Sequence, residues 1–262
     1  IRAEYPAVRE AHLRARFPEE VAEHLRSILR DVGRTPLIVR SSSLLEDALA
    51  HPFAGVYATK MIPSNQFDPE TRVRKLTEAV KFVWATTFSA AAKSYARAVG
   101  QDLAGEKMAV LIQEVVGRRH GPRFYPDLSG VARSYNFYPS GHARPQDGVV
   151  NLALGLGKTI VDGERSWTYS PAWPAVRPPV ASPQKLLDET QREFWAINMG
   201  SPPAYDPVAE TEYLLRASLA DLASESKEGE SQAELKDLTK NEAAVDVGCM
   251  LKVTVVLTVN IP

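Results

Sequence analysis

The segment Pro36-Leu-Ile-Val-Arg40-Ser-Ser-Ser-Leu-Leu-Glu46-Asp47, followed by Phe53-Ala-Gly55, carries the side chains best suited to chemistry. Leu37, Ile38 and Val39 predict a short, stiff, buried strand that fixes where Arg40 points. A guanidinium is planar, stays charged and offers a fork of donors to phosphate or carboxylate. Ser41 and its two neighbours add hydroxyls and turn amides where a phosphate can approach closely. These groups together suit a polyphosphate. The same residues also suit an internal ion pair of Arg40 with Glu46 or Asp47 that ties down a loop.

Other segments have chemical potential of a weaker kind. Gly155-Leu-Gly157-Lys158-Thr159 looks like part of a phosphate-binding P-loop, but the required earlier glycine falls on Leu152, so that motif fails. Lys158 is left either as a phosphate contact or as a solvated turn lysine. Gln113 and the backbone of Glu114 to Val116 close an apolar strand and could serve a purine edge, or simply face solvent. Arg118-Arg119-His120-Gly121-Pro122-Arg123 is a basic loop, either an anion clamp or a solvated surface turn. Asp127 and Ser129 suit capping of their own backbone. No Gly-x-Ser-x-Gly elbow occurs, and Asp237, Glu242 and Asp246 lack the spacing of a metal pair.

These residues must be positioned by a mixed set of elements. Helix is expected over 6–32, with Val21, Leu25, Ile28 and Leu29 inward and Gly33 as the stop. Residues 53–62 read as extended. Asp68-Pro69-Glu70 starts a helix whose stripe is Val73, Leu76, Val80 and Val83. An alanine-rich helix covers 89–99. Strands are expected over 108–116, 129–138, 149–154 and 167–169, then a proline-rich connector and a helix over 183–198. Residues 210–240 are acidic and of either type, and 251–261 reads as a strand.

Composition bounds the function. The chain has 262 residues, 44% hydrophobic and 24% charged, enough for a packed core. Its net charge of -1 sets up no field towards nucleic acid or an anionic membrane, so neither is expected as a partner. One cysteine, Cys249, allows no internal disulfide, and the five histidines lack ligand spacing. No apolar run reaches the ~20 residues that span a bilayer. No signal peptide is visible, and the first residue is Ile1; the expectation is a cytoplasmic fragment, incomplete at both ends.

Five segments occur in an order that resembles the nucleotide-binding domain of phosphoenolpyruvate synthases and pyruvate phosphate dikinases. They are Val39-Arg40-Ser-Ser with Glu46-Asp47, Phe53-Ala-Gly55, Val110-Leu-Ile-Gln113, Asp127-Leu-Ser-Gly130-Val131 and Ala153-Leu-Gly-Leu-Gly-Lys158. The resemblance implies an ATP-grasp-like α/β (α+β) fold with two subdomains, 1–112 and 113–262, the structure of 200–262 being uncertain. It implies ATP as ligand, with Arg40 and Ser41 at the phosphates and Gly55 at a close backbone approach. Gln113 would lie at the adenine, Glu114 to Val116 at a hinge, and Gly155, Gly157 and Lys158 at a turn where the family commonly has glutamate in place of the lysine. Such domains pass a phosphoryl group to a histidine on a separate domain and then to pyruvate, with Mg²⁺. The late acidic motif and the Gln-Ser-Arg-Pro-like motif that serve Mg²⁺ are absent here, as is an early glycine-lysine segment. The phosphohistidine and pyruvate-binding domains, which would belong to a longer parent, are absent too. The chain alone is therefore not expected to make phosphoenolpyruvate. The alternatives are a non-catalytic nucleotide-binding or regulatory module, or a phosphotransferase for another acceptor.

Overall fold

The computed structural model describes residues 5–46, 55–174, 191–201, 205–219, 222 and the backbone of 254–258. Asp47, Phe53, residues 183–190 of the expected helix, most of the acidic 210–240 stretch and Cys249 lie outside the described residues. The chain divides into two units, residues 1–115 with 197–214, and residues 116–196 with 215–262.

The first unit packs helices on one face of a three-stranded antiparallel sheet. Its helices are α1 (Tyr5–Arg14), α2 (Glu19–Val32), α3 (Pro69–Ala85) and α4 (Ala90–Ala98). The stretch expected to be helical, 6–32, forms two helices, the second beginning after Pro18, which lacks the N–H to continue the first. Ala22, Leu25 and Leu29 face inward, whereas Val21 and Ile28 are exposed, a correction to the expected stripe. In α3 the Asp68 carboxylate accepts from the Thr71 N–H, Pro69 supplies a preset φ, and Val73, Leu76, Val80 and Val83 are all buried.

The sheet has the order β2-β1-β3, from β1 (Leu37–Ser43), β2 (Lys60–Ile62) and β3 (Met108–Glu114). The extended stretch expected over 53–62 shrinks to β2, since 55–57 form a turn and bend. Along β1, Leu37, Val39, Ser41 and Ser43 are buried, and Ile38, Arg40 and Ser42 point the other way. Leu37, Val39 and Ile62 meet Leu76, Val80 and Val83 in one core, each burial contributing roughly 1.5–3 kcal/mol.

The second unit contains two four-stranded sheets. One has the order β10-β9-β5-β4, from β4 (Arg118–His120), β5 (Arg123–Tyr125), β9 (Glu193–Asn198) and β10 (Leu214–Ser218). The other has the order β11-β6-β7-β8, from β6 (Ser129–Arg133), β7 (Val149–Ala153), β8 (Trp167–Tyr169) and β11 (Thr254–Thr258), with β11 parallel to β6. A one-turn helix, α5 (Lys158–Val161), follows β7. The helix expected over 183–198 is corrected at its C-terminal part. Residues 193–198 are strand β9, with Phe194, Ala196 and Ile197 buried. Spacing of three between Phe194 and Ile197 suits a helix, but burial on two layers of a sheet also accepts a nearly continuous apolar run.

Candidate functional site

β1 and β3 pair antiparallel with Arg40 opposite Leu111 and Ile38 opposite Gln113. Directly opposite residues share a face, so Arg40, Ile38, Leu111 and Gln113 stand together on the face turned away from α3. Met61 joins them from β2, opposite Ile38. Leu111 is 44% exposed and Arg40 and Gln113 are exposed. The result is an apolar strip flanked by a guanidinium and a side-chain amide. A flat ring can lie on such a strip, the amide can meet its edge, and the guanidinium can take an anion.

Glu46 has a different role from that of an ion-pair partner for Arg40. Its carboxylate accepts from the Ser41 hydroxyl at 2.8 Å and from the Ser43 N–H at 2.8 Å. Ser41 is buried and turned towards that acid, and Ser42 is the serine that shares the face of Arg40. Among the described residues Arg40 makes no ion pair, so the loop-tying alternative with Glu46 fails. Gly55 sits in an exposed turn at φ +76°, a left-handed conformation that glycine adopts freely. Glu114 lies opposite Leu37, at the end of β3 and off the face that carries Arg40 and Gln113. The Val115 N–H donates to the Pro36 carbonyl and closes that end of the sheet.

In the second unit Val116 is half-buried and opens the run into β4. The glycine turn after β7 is built into the protein. The Ser129 hydroxyl donates to the Gly155 carbonyl at 2.7 Å, and the Leu156 N–H donates to the Trp195 carbonyl at 2.9 Å. Gly155 has φ +78°, and a Cβ there would meet Phe194 and the Trp195 carbonyl at 2.7 Å. Gly157 begins α5 with ordinary helical angles. The Lys158 ammonium bonds Asp162 at 3.1 Å and lies 5.6 Å from the centre of the Trp195 ring. The basic loop is the β4–β5 hairpin. In it Arg118 pairs with Asp127 at 2.7 Å, and the Arg119 guanidinium donates to the Gly121 carbonyl. His120 stacks on Tyr125.

A buried ion pair escaped the reading of the sequence. Lys60 and Glu212 meet at 2.7 Å with side chains 2% and 1% exposed. The ammonium also donates to the carbonyls of Ala209 and Pro207 and lies 5.3 Å from the Phe82 ring centre. Burial lowers the Lys60 pKa, and the bond from Glu212 opposes that. The only sequence signal was alternation of Lys60 with Ile62 on the inward face, since the partner acid is 152 residues away.

Among the described residues no group of three His, Cys, Asp or Glu side chains could hold a metal. The acids near the Ser43 end of β1, Glu46 and Glu106, are engaged by hydroxyl and amide donors. No helix among them is long and apolar enough to cross a membrane.

Comparison with known proteins adds the family. Residues 1–175 match the family described as pyruvate phosphate dikinase, AMP/ATP-binding domain. An uncharacterized phosphotransferase of Bacillus subtilis, YvkC, is 27% identical over 199 residues, covering 75% of this chain and 20% of that protein. A rifampicin phosphotransferase of Streptomyces sviceus is 29% identical over 152 residues, covering 56% of this chain and 15% of that protein. The chain thus spans a fifth or less of these relatives. It belongs to the pyruvate phosphate dikinase AMP/ATP-binding domain family.

Proposed function

We propose, from that membership, that this chain is the ATP-binding part of a longer phosphotransferase, with an ATP-grasp-like fold. The observation that carries the reading is the shared face of Arg40 and Gln113, with Leu111 and Ile38 between them. Adenine would lie on the apolar strip with its edge at Gln113, and the phosphates would run to Arg40. Phosphoryl transfer asks a protein mainly for positioning and for cations near the phosphate oxygens. A guanidinium that makes no ion pair among the described residues is suited to that, since it gives up no such bond on binding.

The acceptor is a second step of the proposal. The family name suggests pyruvate as acceptor, and a histidine on a separate domain as carrier is what the resemblance implies. A relative named for rifampicin supports a different final acceptor on the same nucleotide-binding part. Both routes use the same ATP site.

Calorimetry with ATP·Mg²⁺ on the wild type and on Arg40→Ala tests the reading. A charged hydrogen bond of about 1.5–3 kcal/mol predicts roughly 10–150-fold weaker binding in the variant. Equal affinities would remove Arg40 from the site.

A further inference from the structure

We infer that the groove at the Ser43 end of β1 holds the outermost phosphate of the nucleotide, with the Lys107 ammonium and the Ser42 hydroxyl as donors. This rests on the reading of the Arg40 face as the ATP site. The groove measures about 470 Å³ and is lined by Ser42, Ser43, Leu44, Lys107, Met108 and Ala109. It continues the same face. Ser42 lies opposite Ala109, the next pair after Arg40 and Leu111, and Lys107 precedes β3 with the same alternation. From Gln113 to Lys107 the strand runs about 20 Å, with Arg40 at about a third of that length. A ring at Gln113, inner phosphates at Arg40 and a terminal phosphate at the groove fall in one line.

The walls of the groove are held from behind. The Glu106 carboxylate accepts from the Leu44 N–H at 3.2 Å, the Lys107 N–H at 2.9 Å and the Tyr57 hydroxyl at 3.1 Å. Glu46 holds the Ser43 N–H. Both acids are therefore occupied by donors of their own. Neither the Lys107 ammonium nor the Ser42 hydroxyl has a protein partner among the described residues. A fixed backbone carrying an unpaired cation and hydroxyl is preorganised for an anion.

Binding of ATP, AMP and inorganic tripolyphosphate to the purified chain tests this, with Lys107→Met, Lys107→Arg, Ser42→Ala and, as a charge control on α2, Arg30→Ala. Lys107→Met is expected to weaken ATP and tripolyphosphate about 10-fold and to leave AMP unchanged. Lys107→Arg should restore most of the loss, Ser42→Ala should lose a few-fold on the same two ligands, and Arg30→Ala should match the wild type. Unchanged ATP and tripolyphosphate affinity in Lys107→Met overturns the inference. So does an equal loss for AMP, or an equal loss in Arg30→Ala. If the wild type binds tripolyphosphate through Lys107 but not ATP, the nucleotide reading fails and the groove stands. If it binds neither, both fail.

Discussion

Replacing Lys60 by methionine isolates the strongest buried electrostatic contact in the first unit. Methionine keeps most of the volume and removes the charge, so packing against Phe82 changes little. Glu212 would remain 1% exposed without its bonded cation, with Lys75 acting on it only from further off, and the Ala209 and Pro207 carbonyls would lose a donor at 2.6 and 3.1 Å. Breaking a buried pair from one side costs about 3–5 kcal/mol, because an uncompensated charge stays behind. The double variant Lys60→Met/Glu212→Leu removes that charge and leaves only the carbonyls short, a cost of about 1–3 kcal/mol. Urea unfolding of the wild type, single and double variants measures each value. The double variant should be the more stable of the two by about 2 kcal/mol. A single variant within about 1 kcal/mol of wild type, or a double variant no better than the single, would refute the reasoning.

Two further outcomes follow from the packing and from the phenols. Gly155→Ala should destabilise the second unit by about 2–4 kcal/mol in the same assay, through collision with Phe194 and the Trp195 carbonyl and an unfavourable φ; a loss under 1 kcal/mol would mean that β9 moves aside freely. Tyr57, Tyr205 and Tyr213 all hold their protons more tightly when folded, chiefly through burial, with Tyr205 pushed up to about 12. Above pH ~10 the unfolded chain gives up these protons while the folded one keeps them, so stability should fall as pH rises through that range. Lys60 works in the opposite direction at lower pH, since burial depresses its pKa and stability gains as pH rises towards ~10.4. Stability measured at pH 9, 10 and 11 should therefore hold and then drop, and Tyr213→Phe should flatten the drop. An unchanged slope in that variant would contradict the assignment to Tyr213.

Local pattern carried much of the fold. β1, β8 and the stripe of α3 follow from alternation, a capping acid and helical spacing, all of which act within a few residues. Two kinds of feature resisted. Residues 193–198 form a short apolar run whose spacing fits both periods, so only its strand neighbours decide. The Lys60–Glu212 pair depends on a distant return of the chain, which no window of sequence contains. The candidate site was legible for the same reason as the strands. Arg40 and Gln113 each lie on a strongly patterned strand, and register then sets them on one face. Alternation also sets Ser42, rather than Ser41, on that face, but only because the strand runs on through Ser43 where a turn at the serines was expected.

The first unit is not finished when its opening 115 residues have been made, because Ile197–Leu214 belongs to it as well. On a ribosome adding about 5–20 residues per second, the intervening residues 116–196 take on the order of 4–16 s. Throughout that interval the nascent chain carries the Lys60 ammonium with no carboxylate to receive it, so the sheet cannot close over it as it does in the finished protein. The second unit waits longer still, since its last segment, Leu215–Pro262, is made after the first unit is complete.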